Sequence, residues 1–395
     1  MPGPLHGYRI LDLSAVVSGP YGTMILADQG ADVIKVEPPG HGDFTRSAGN
    51  KSGGLSASFL NNNRNKRSIA IDLKTGAGVD IVKRLAQTAD VMVQNYRPGV
   101  VERLGLGEAD IRAVAPSIVY VSISGFGEKG PFAGKPTYDP IIQALSGLAS
   151  VQGGSDRQRP RLVLTILPDK LTAVTASQAI TAALLARERT GEGQHVRLSM
   201  MDSVVAFLWS SDMGGQTYVG KPVSQQRAAS FIDLIYQTKD GYMSVAVMTN
   251  AQWAAFCGIA GHPEWIEDER FATPALRDLN IDARLELIQS VLIGKTTDAW
   301  MAILDEAHVP CAPVLTRNEL IEHPQVAASG IVYENDHPAA GRLRQSRNAA
   351  RFSGTPPEHR HGAPGLGEHT EEILREAGFD AAEVGKLRAD KIVAG

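Results

Sequence analysis

The N-terminal segment carries the pattern that limits the fold most strongly. Residues 8–13 and 32–37 are short apolar runs that predict strands, and residues 21–29 between them predict a helix. The sequence Ser18-Gly19-Pro20 marks the turn before that helix. Two strands joined by a single helix pair in parallel through a right-handed crossover. The chain is therefore predicted to begin with a parallel α/β sheet.

Strands and helices keep alternating as far as about Leu208. Further strands are predicted at residues 68–73, 90–94 and 118–123, and a helix is predicted at residues 77–88. Strands that alternate with helices in this way are typical of a Rossmann-like domain built on a parallel sheet.

The pattern then changes in the C-terminal half. Residues 231–238 and 242–247 predict two strands of a hairpin around an Asp-Gly turn, and helical segments follow. We therefore predict a large Rossmann-like domain over residues 1–220 and a smaller α+β domain over residues 221–328.

Composition excludes several classes of protein. The 395 residues suffice for two domains or one large one, and a net charge of −4 gives no reason to expect nucleic-acid or membrane-surface binding. Cys257 and Cys311 are too few for a disulfide framework or a cysteine-rich metal site, which favours a cytoplasmic location. The sequence shows neither a signal peptide nor an apolar run long enough to cross a membrane.

A second informative stretch begins at Leu162. The apolar residues 162–167 predict a buried strand that Pro168 ends, and a helix rich in alanine and threonine follows as far as Gly191. So many small side chains predict close packing of that helix on several sides.

Asp169 stands where this helix begins, and two interpretations are open. Asp is among the best N-cap residues, because its side chain accepts hydrogen bonds from free N–H groups. Alternatively, Asp169 is a functional carboxylate at the ligand-binding edge of an α/β sheet. The helix N-terminus is then expected to keep it ionised near neutral pH, as a carboxylate nucleophile requires.

Cationic and aromatic residues cluster beside two of the predicted strands. A basic loop at residues 61–67 precedes one strand, and Asn95-Tyr96-Arg97 follows another, with Arg103 shortly beyond. An amide, a ring and guanidinium groups suit a nucleotide base with its phosphates. The same residues also suit an exposed surface turn, and the pattern does not separate the two.

Other chemistries lack their motifs. Glu37 lies near the spacing of a ribose-binding acid, but the G-x-G-x-x-G fingerprint is absent, so Glu37 is predicted to be an ordinary charge at a strand end. The ten histidines show no H-E-x-x-H spacing and predict no metal site. A G-x-S-x-G elbow and a phosphate-binding P-loop are also absent.

Several ordered motifs resemble those of the class III CoA-transferases, the superfamily of formyl-CoA and carnitine CoA-transferases and α-methylacyl-CoA racemases. The resemblance covers nearly the whole chain. It rests on residues 10–13, 18–20, 27–37, 65–68, 72–74, 95–99, 122–127, 189–194 and 366–370.

The resemblance implies a large Rossmann-like domain formed by both ends of the chain, so that residues 329–395 return to it, with the smaller domain inserted. It also implies a homodimer of interlocked rings. It assigns catalysis to Asp169, which first accepts an acyl group as a mixed anhydride and then binds CoA as a thioester. The expected partners are an acyl-CoA and a small carboxylic acid.

CoA is expected as a substrate, without a tightly bound cofactor or a metal. Its contacts in the family map onto residues before and after several strands, including residues 136–139. The implied CoA-binding residues are Val17, Ser18, Ile71, Asp72, Leu73, Lys74, Asn95, Tyr96, Arg97, Arg103, Tyr138 and Asp139. N–H groups of the glycine-rich turn 125–130 are candidate donors to the reaction oxyanion.

Three alternatives remain open. An acyl-CoA racemase on the same fold resembles this chain, although Tyr138 occupies the position of the racemase histidine and tyrosine is a poor base at neutral pH. An NAD-dependent oxidoreductase is disfavoured by the missing fingerprint. A non-catalytic CoA-binding protein is the third.

Overall fold

The computed structural model describes residues 2–221 and 233–395. Within them, residues 2–221 and 331–395 form one compact unit, here called the large unit. Residues 233–330 form a second, here called the small unit. The strands are β1 (Arg9–Asp12), β2 (Asp32–Glu37), β3 (Lys51–Ser52), β4 (Leu55–Ser56), β5 (Lys66–Ile71), β6 (Val91–Gln94), β7 (Val119–Ser124), β8 (His195–Ser199), β9 (Ile235–Gln237), β10 (Tyr242–Val245), β11 (Cys311–Pro313), β12 (Val332–His337), β13 (Gly341–Ser346) and β14 (Val393–Ala394).

The helices of the described residues are mostly short and alternate with these strands. They are α1 (Ser18–Asp28), α2 (Ala57–Asn63), α3 (Gly76–Ala86), α4 (Val100–Arg103), α5 (Glu108–Val114), α6 (Asp139–Leu145), α7 (Leu148–Gln152), α8 (Leu167–Thr190), α9 (Met200–Trp209), α10 (Gly214–Thr217), α11 (Asn250–Ala260), α12 (Pro274–Leu279), α13 (Ile281–Leu292), α14 (Thr297–Glu306), α15 (Arg317–Glu322), α16 (Pro324–Ser329), α17 (Thr370–Glu376) and α18 (Ala381–Ala389). Single 3-10 turns lie at Phe44–Ser47 and Pro263–Ile266.

The large unit is organised around one sheet with the order β14-β5-β2-β1-β6-β7-β8. All neighbouring pairs are parallel except β14 with β5. Without the antiparallel edge strand, the order is that of a Rossmann sheet, and it reverses between β1 and β6. The predicted α/β fold with a parallel sheet is therefore confirmed. Ligands of such sheets bind beyond the carboxyl ends of the strands at this reversal.

Helices α1 and α8 pack closely on one face of this sheet. A Cβ atom at Gly22 would lie 2.8 Å from the carbonyl oxygen of Ala173, so the two backbones approach to a distance that only glycine allows. Ala173, Ala176 and Ile180 are buried on the facing side of α8. The close packing predicted from the small side chains of this helix is confirmed, although Leu185 on another side is exposed.

The predicted strand at residues 162–167 is wrong. The segment has no strand partner, and the Leu164 side chain is fully exposed. The amide of Gln143 makes the hydrogen bonds that a neighbouring strand would make: it accepts from the Val163 N–H and donates to the carbonyls of Val163 and Thr165. An apolar run looks like a buried strand only when a sheet has room for it.

The small unit contains the predicted hairpin. β9 and β10 pair antiparallel around residues 238–241, and β11 adds a third strand. The predicted first strand began at residue 231, and its first two residues lie outside the described part of the chain. Trp253, Phe256 and Trp300 lie at the centre of the core of this unit. No helix in the described residues has the length and hydropathy of a membrane span.

Candidate active site

Asp169 lies in the first turn of α8. The N-cap position belongs to Ile166, whose side chain has no hydrogen-bond acceptor. The interpretation of Asp169 as the N-cap is therefore wrong, because Asp169 is inside the helix and its own N–H is one of the free donors of that end. This leaves the carboxylate of Asp169 available for another role.

Asp139, at the start of α6, satisfies that donor. Its Oδ2 atom accepts a hydrogen bond of 3.2 Å from the Asp169 N–H, and its Oδ1 atom accepts one of 2.7 Å from the amide of Gln143. The Asp139 side chain is only 3% exposed. Asp139 and Gln143 thus fix both the segment before α8 and its first turn.

The N-terminus of α1 meets the same carboxylate. Ser18 is the first residue of α1 and Val17 precedes it, and both are buried. Gly22 of α1 packs on Ala173 of α8, and Ser18 and Asp169 each stand one helical turn earlier. The backbone of Ser18 therefore lies beside the Asp169 carboxylate and lowers its pKa. The structure therefore brings together three residues that the sequence implicated separately: Asp169, Asp139 and Ser18.

The pKa of Asp169 is raised to about 6. Burial is the main cause, the negative charge of Asp139 adds to it, and the nearby backbone of Ser18 opposes it. The sequence had predicted that the helix N-terminus would keep the group ionised, and it had not anticipated the raised pKa. At pH 7 a group with this pKa is still ionised by about ten to one. A carboxylate that is ionised yet poorly solvated is a better nucleophile than an exposed one.

Asn95 follows β6 and faces the loop after β1 across the reversal of strand order. Its amide accepts a hydrogen bond of 2.9 Å from the Ala15 N–H and donates one of 2.7 Å to the Ala15 carbonyl. The side chain predicted to contact CoA thus already has partners within the protein. Its neighbours Tyr96 and Arg97 line a cavity of about 380 Å³, where Arg97 is exposed.

A second cavity, of about 420 Å³, lies beside the end of β5. Leu73, Lys74 and Arg103, all predicted from the sequence, line it together with Lys83 of α3. The three cations form no ion pair within 4 Å with any carboxylate of the described residues, although Asp80 and Glu102 also line the wall. Unpaired cations around one cavity suit a polyanion.

Two of the predicted CoA contacts in this region differ from the others. Ile71 is fully buried in the core and pairs with Val393 of β14, so its side chain does not reach the cavity. Asp72 accepts a hydrogen bond from the Lys74 N–H and shapes the turn that presents Lys74. The sequence did not predict Lys83 as part of this cavity, because a charged side chain within a helix normally faces solvent.

Two further predictions concern residues near β7. Tyr138 is 77% exposed beside Asp139. In the glycine-rich turn, Gly125 packs against Thr137, its carbonyl accepts from the Met201 N–H, and the Gly127 N–H donates to Ser124. The backbone that lies beside the Asp169 carboxylate is that of Ser18, at the start of α1.

Glu37 is not an ordinary strand-end charge. It is buried and pairs with Arg46 through both carboxylate oxygens, at 2.8 and 2.7 Å, and it also accepts from Ser68. The prediction was wrong because Arg46 reaches back from the following 3-10 turn. In the described part of the chain, no group of three or more His, Cys, Asp or Glu side chains is arranged to hold a metal.

Comparison with known proteins identifies a family to which this chain is similar. The model of CoA-transferase family III matches residues 5–370. Succinyl-CoA:glutarate CoA-transferase of Mus musculus is 36% identical over 398 residues, which cover 99% of this chain and 90% of that protein. Acetyl-CoA:oxalate CoA-transferase of Acetobacter aceti is 35% identical over 95% of this chain and 96% of that protein.

Solved structures agree with these relatives. The crystal structure of a CAIB/BAIF family protein from Brucella suis superposes with a TM-score of 0.84 and 31% sequence identity. The match covers 95% of this chain and 100% of that one.

The raised pKa of Asp169 predicts a stabilising substitution. The pKa of about 6 in the folded protein exceeds the value of about 3.9 expected after unfolding, so the folded state holds the proton more tightly. Ionisation of Asp169 therefore lowers the free energy of unfolding. The loss is absent below about pH 4, grows between pH 4 and pH 6, and is complete above about pH 6. Asp169→Asn is expected to increase the free energy of unfolding at pH 7 by about 1–3 kcal/mol, measured by urea denaturation.

This gain is expected to shrink steadily as the pH falls from 7 to 4. Asp202→Asn, at an exposed carboxylate in the first turn of α9, is the control and is expected to change stability by less than about 0.5 kcal/mol at either pH. A pH-independent effect of Asp169→Asn would contradict the assigned pKa.

Proposed function

The chain belongs to CoA-transferase family III, and on that premise we propose that it transfers CoA from an acyl-CoA to a carboxylic acid with Asp169 as the nucleophile. The observation that carries this proposal is Asp169 itself: Asp139 holds its N–H, its carboxylate lies beside the start of α1, and its pKa is raised to about 6. No other carboxylate of the described residues combines these features at that place.

The first half of the reaction forms a CoA ester on the protein. An oxygen of Asp169 attacks the thioester carbonyl of the acyl-CoA, the C–S bond breaks, and CoA leaves as a thiolate. The product is a mixed anhydride of Asp169 and the acyl group. The thiolate then attacks the Asp169 carbonyl, the anhydride C–O bond breaks, and the donor leaves as a carboxylate. Asp169 now carries CoA as a thioester.

The second half reverses these steps with a different acid. The acceptor carboxylate attacks the aspartyl thioester and releases the thiolate, and the thiolate then attacks the acceptor carbonyl of the new anhydride. Asp169 returns as a free carboxylate, and the net reaction consumes no proton and no electron. Each step passes through an oxyanion, and the proposed donors are the free N–H groups at the start of α1, which lie beside Asp169.

The nucleotide end of CoA is proposed to bind at the two cavities beside β5 and β6. Arg97, Lys74, Lys83 and Arg103 provide positive charge there for the phosphates. Binding energy at this remote end positions the thioester at Asp169 without taking part in bond breaking.

The acid substrates are proposed to be short dicarboxylic acids. This rests on relatives whose names specify glutarate, oxalate and D-citramalate as acceptors. A cytoplasmic location is also proposed, since Cys257 and Cys311 are both free.

Assembly as a homodimer is the remaining part of the proposal. Apolar side chains are exposed on three helices that pack together in the large unit and on the segment before α8: Ile141, Leu164, Val174, Leu185 and Phe207. A soluble chain rarely leaves so many large apolar side chains uncovered. A second copy is the occupant that the family resemblance implies.

The central prediction is a covalent adduct. Incubation with succinyl-CoA is expected to add the mass of CoA to the peptide that contains Asp169, and borohydride is expected to remove it by reducing the thioester. Asp169→Ala is expected to bind CoA and to lose transfer to glutarate, while Asp202→Asn retains both.

Transfer at the wild-type rate by Asp169→Ala would remove Asp169 from the mechanism. Exchange of the α-proton in deuterated water without transfer would indicate the racemase instead.

A second prediction concerns the nucleotide. Lys83→Ala and Arg103→Ala are each expected to weaken CoA binding by roughly 1–3 kcal/mol, because each loses a charged hydrogen bond to phosphate. Titration calorimetry with CoA and with pantetheine, which lacks the nucleotide, separates the effects: affinity for pantetheine is expected to stay unchanged. Lys386→Ala on α18 is the control. An equal loss for both ligands would place these cations outside the phosphate site.

A third prediction concerns assembly. Light scattering is expected to give twice the chain mass of 42.2 kDa at all concentrations. Interlocked rings cannot separate without unfolding, so tagged and untagged dimers mixed under native conditions are expected not to exchange subunits. A monomeric mass would contradict the dimer, and rapid exchange would contradict the interlock alone.

A further inference from the structure

The loop between β1 and α1, residues 14–18, holds an unusual backbone. Val16 has a φ angle of 71°, in the left-handed region. A β-branched residue is seldom found there, because its side chain clashes with its own backbone. Strain of this kind lowers stability and persists only where the surroundings impose the conformation.

Hydrogen bonds from three separate elements impose it. The Asn95 amide makes two bonds to the backbone of Ala15, at 2.9 and 2.7 Å. The ammonium group of Lys35 donates to the Ser14 carbonyl at 2.9 Å. The Asp43 carboxylate accepts from the Val16 N–H at 3.3 Å. Consecutive peptide groups of the loop are therefore held from β6, β2 and the 3-10 turn.

Lys35 and Asp43 form a buried ion pair of their own. Their side chains lie 3.0 Å apart and are 0% and 1% exposed. The pair belongs to a buried network beneath the loop in which three acids balance three bases: Asp12, Glu37, Asp43, Lys35, Arg46 and Lys66. Asp12 joins this network to the loop by accepting hydrogen bonds from the Ser14 N–H and hydroxyl.

Stability does not account for this arrangement. Removing charges from water is unfavourable, and buried pairs are often replaced by apolar side chains without loss of stability. Adding a strained Val16 lowers stability further. The arrangement does, however, fix the backbone that leads into Ser18 at the N-terminus of α1. Ser18 stands one turn before Gly22, which packs on Ala173, and Asp169 stands one turn before Ala173.

We propose that the Lys35–Asp43 ion pair and Asn95 lock residues 14–18 so that the N-terminus of α1 keeps its place beside Asp169 through the reaction. Lys35, Asp43 and Asn95 are thus positioning residues, and none of them touches the reacting atoms. The role in catalysis rests on the proposed transferase function, whereas the lock itself is a property of the folded chain.

The first measurement is independent of activity. Hydrogen exchange by mass spectrometry on peptides covering residues 14–18 is expected to show protection in the wild type. Asn95→Ala and Asp43→Asn are each expected to lose that protection. Asp28→Asn is the matched control, because Asp28 forms a buried pair with Arg64 at the opposite end of α1. It is expected to lower stability while leaving exchange at residues 14–18 unchanged. Unchanged protection in both Asn95→Ala and Asp43→Asn overturns the lock.

The second measurement is kinetic. Asn95→Ala and Asp43→Asn are expected to lower kcat by roughly 10- to 100-fold, with a smaller change in KM for the acyl-CoA. Asp28→Asn is expected to keep kcat within about twofold of the wild type. Equal kcat values in all three variants at matched stability overturn the positioning role. If the wild type itself transfers no CoA, the transferase proposal fails, and the exchange result still decides the lock.

The pH profile distinguishes positioning from loss of structure. Burial and the charge of Asp139 raise the pKa of Asp169, and the backbone of Ser18 lowers it. Asn95→Ala removes no charge, so its expected effect is an increase in the kinetic pKa as the released start of α1 moves away from Asp169. A kinetic pKa equal to that of the wild type contradicts the proposal.

Discussion

The order of the strands reverses between β1 and β6, and this reversal decides where the polar groups of the large unit gather. The chain leaves these two adjacent strands toward opposite faces of the sheet, so a crevice opens between the two connections. Ala15 and Asn95 close its floor by pairing their amide groups. Helix α8 reaches the same place because glycine at position 22 lets it approach α1 closely. Asp169 therefore meets the N-terminus of α1 through packing of the whole unit.

The sequence predicted this framework well, because local pattern and tertiary structure agree there. The strand Asp32–Glu37 has the predicted bounds, since its apolar residues are buried between two layers of helices and its ends are marked by glycine and proline. The position of Asp169 at the start of a helix was also predictable from Pro168 and the small residues after it. Patterns of this kind depend on neighbours in the chain, which the sequence displays directly.

The wrong predictions all involve residues whose partners cannot be identified from the local sequence pattern. Residues 162–167 looked like a strand, but Gln143 of another helix makes their hydrogen bonds. Glu37 looked like a solvated charge until Arg46 folded back onto it. Lys35, in the middle of an otherwise apolar strand, was the one available signal of a buried charge network, because a lysine within a buried strand requires a carboxylate partner.

The raised pKa of Asp169 makes its carboxylate less stable as an anion and more reactive as a nucleophile. Asp139 places a second negative charge beside Asp169 and at the same time satisfies the N–H that Asp169 exposes as part of a helix end. A neutral acceptor would satisfy the N–H equally well without raising the pKa. The charge therefore adds nothing to the hydrogen bonding of the fold, and it makes the neighbouring carboxylate less stable as an anion and more ready to form a covalent bond. The backbone of Ser18 opposes this effect, and with a pKa of about 6 Asp169 remains mostly ionised at neutral pH. Reactivity at this site thus depends on two opposing contacts, one from α6 and one from α1, and on a loop rigid enough to keep the second in place.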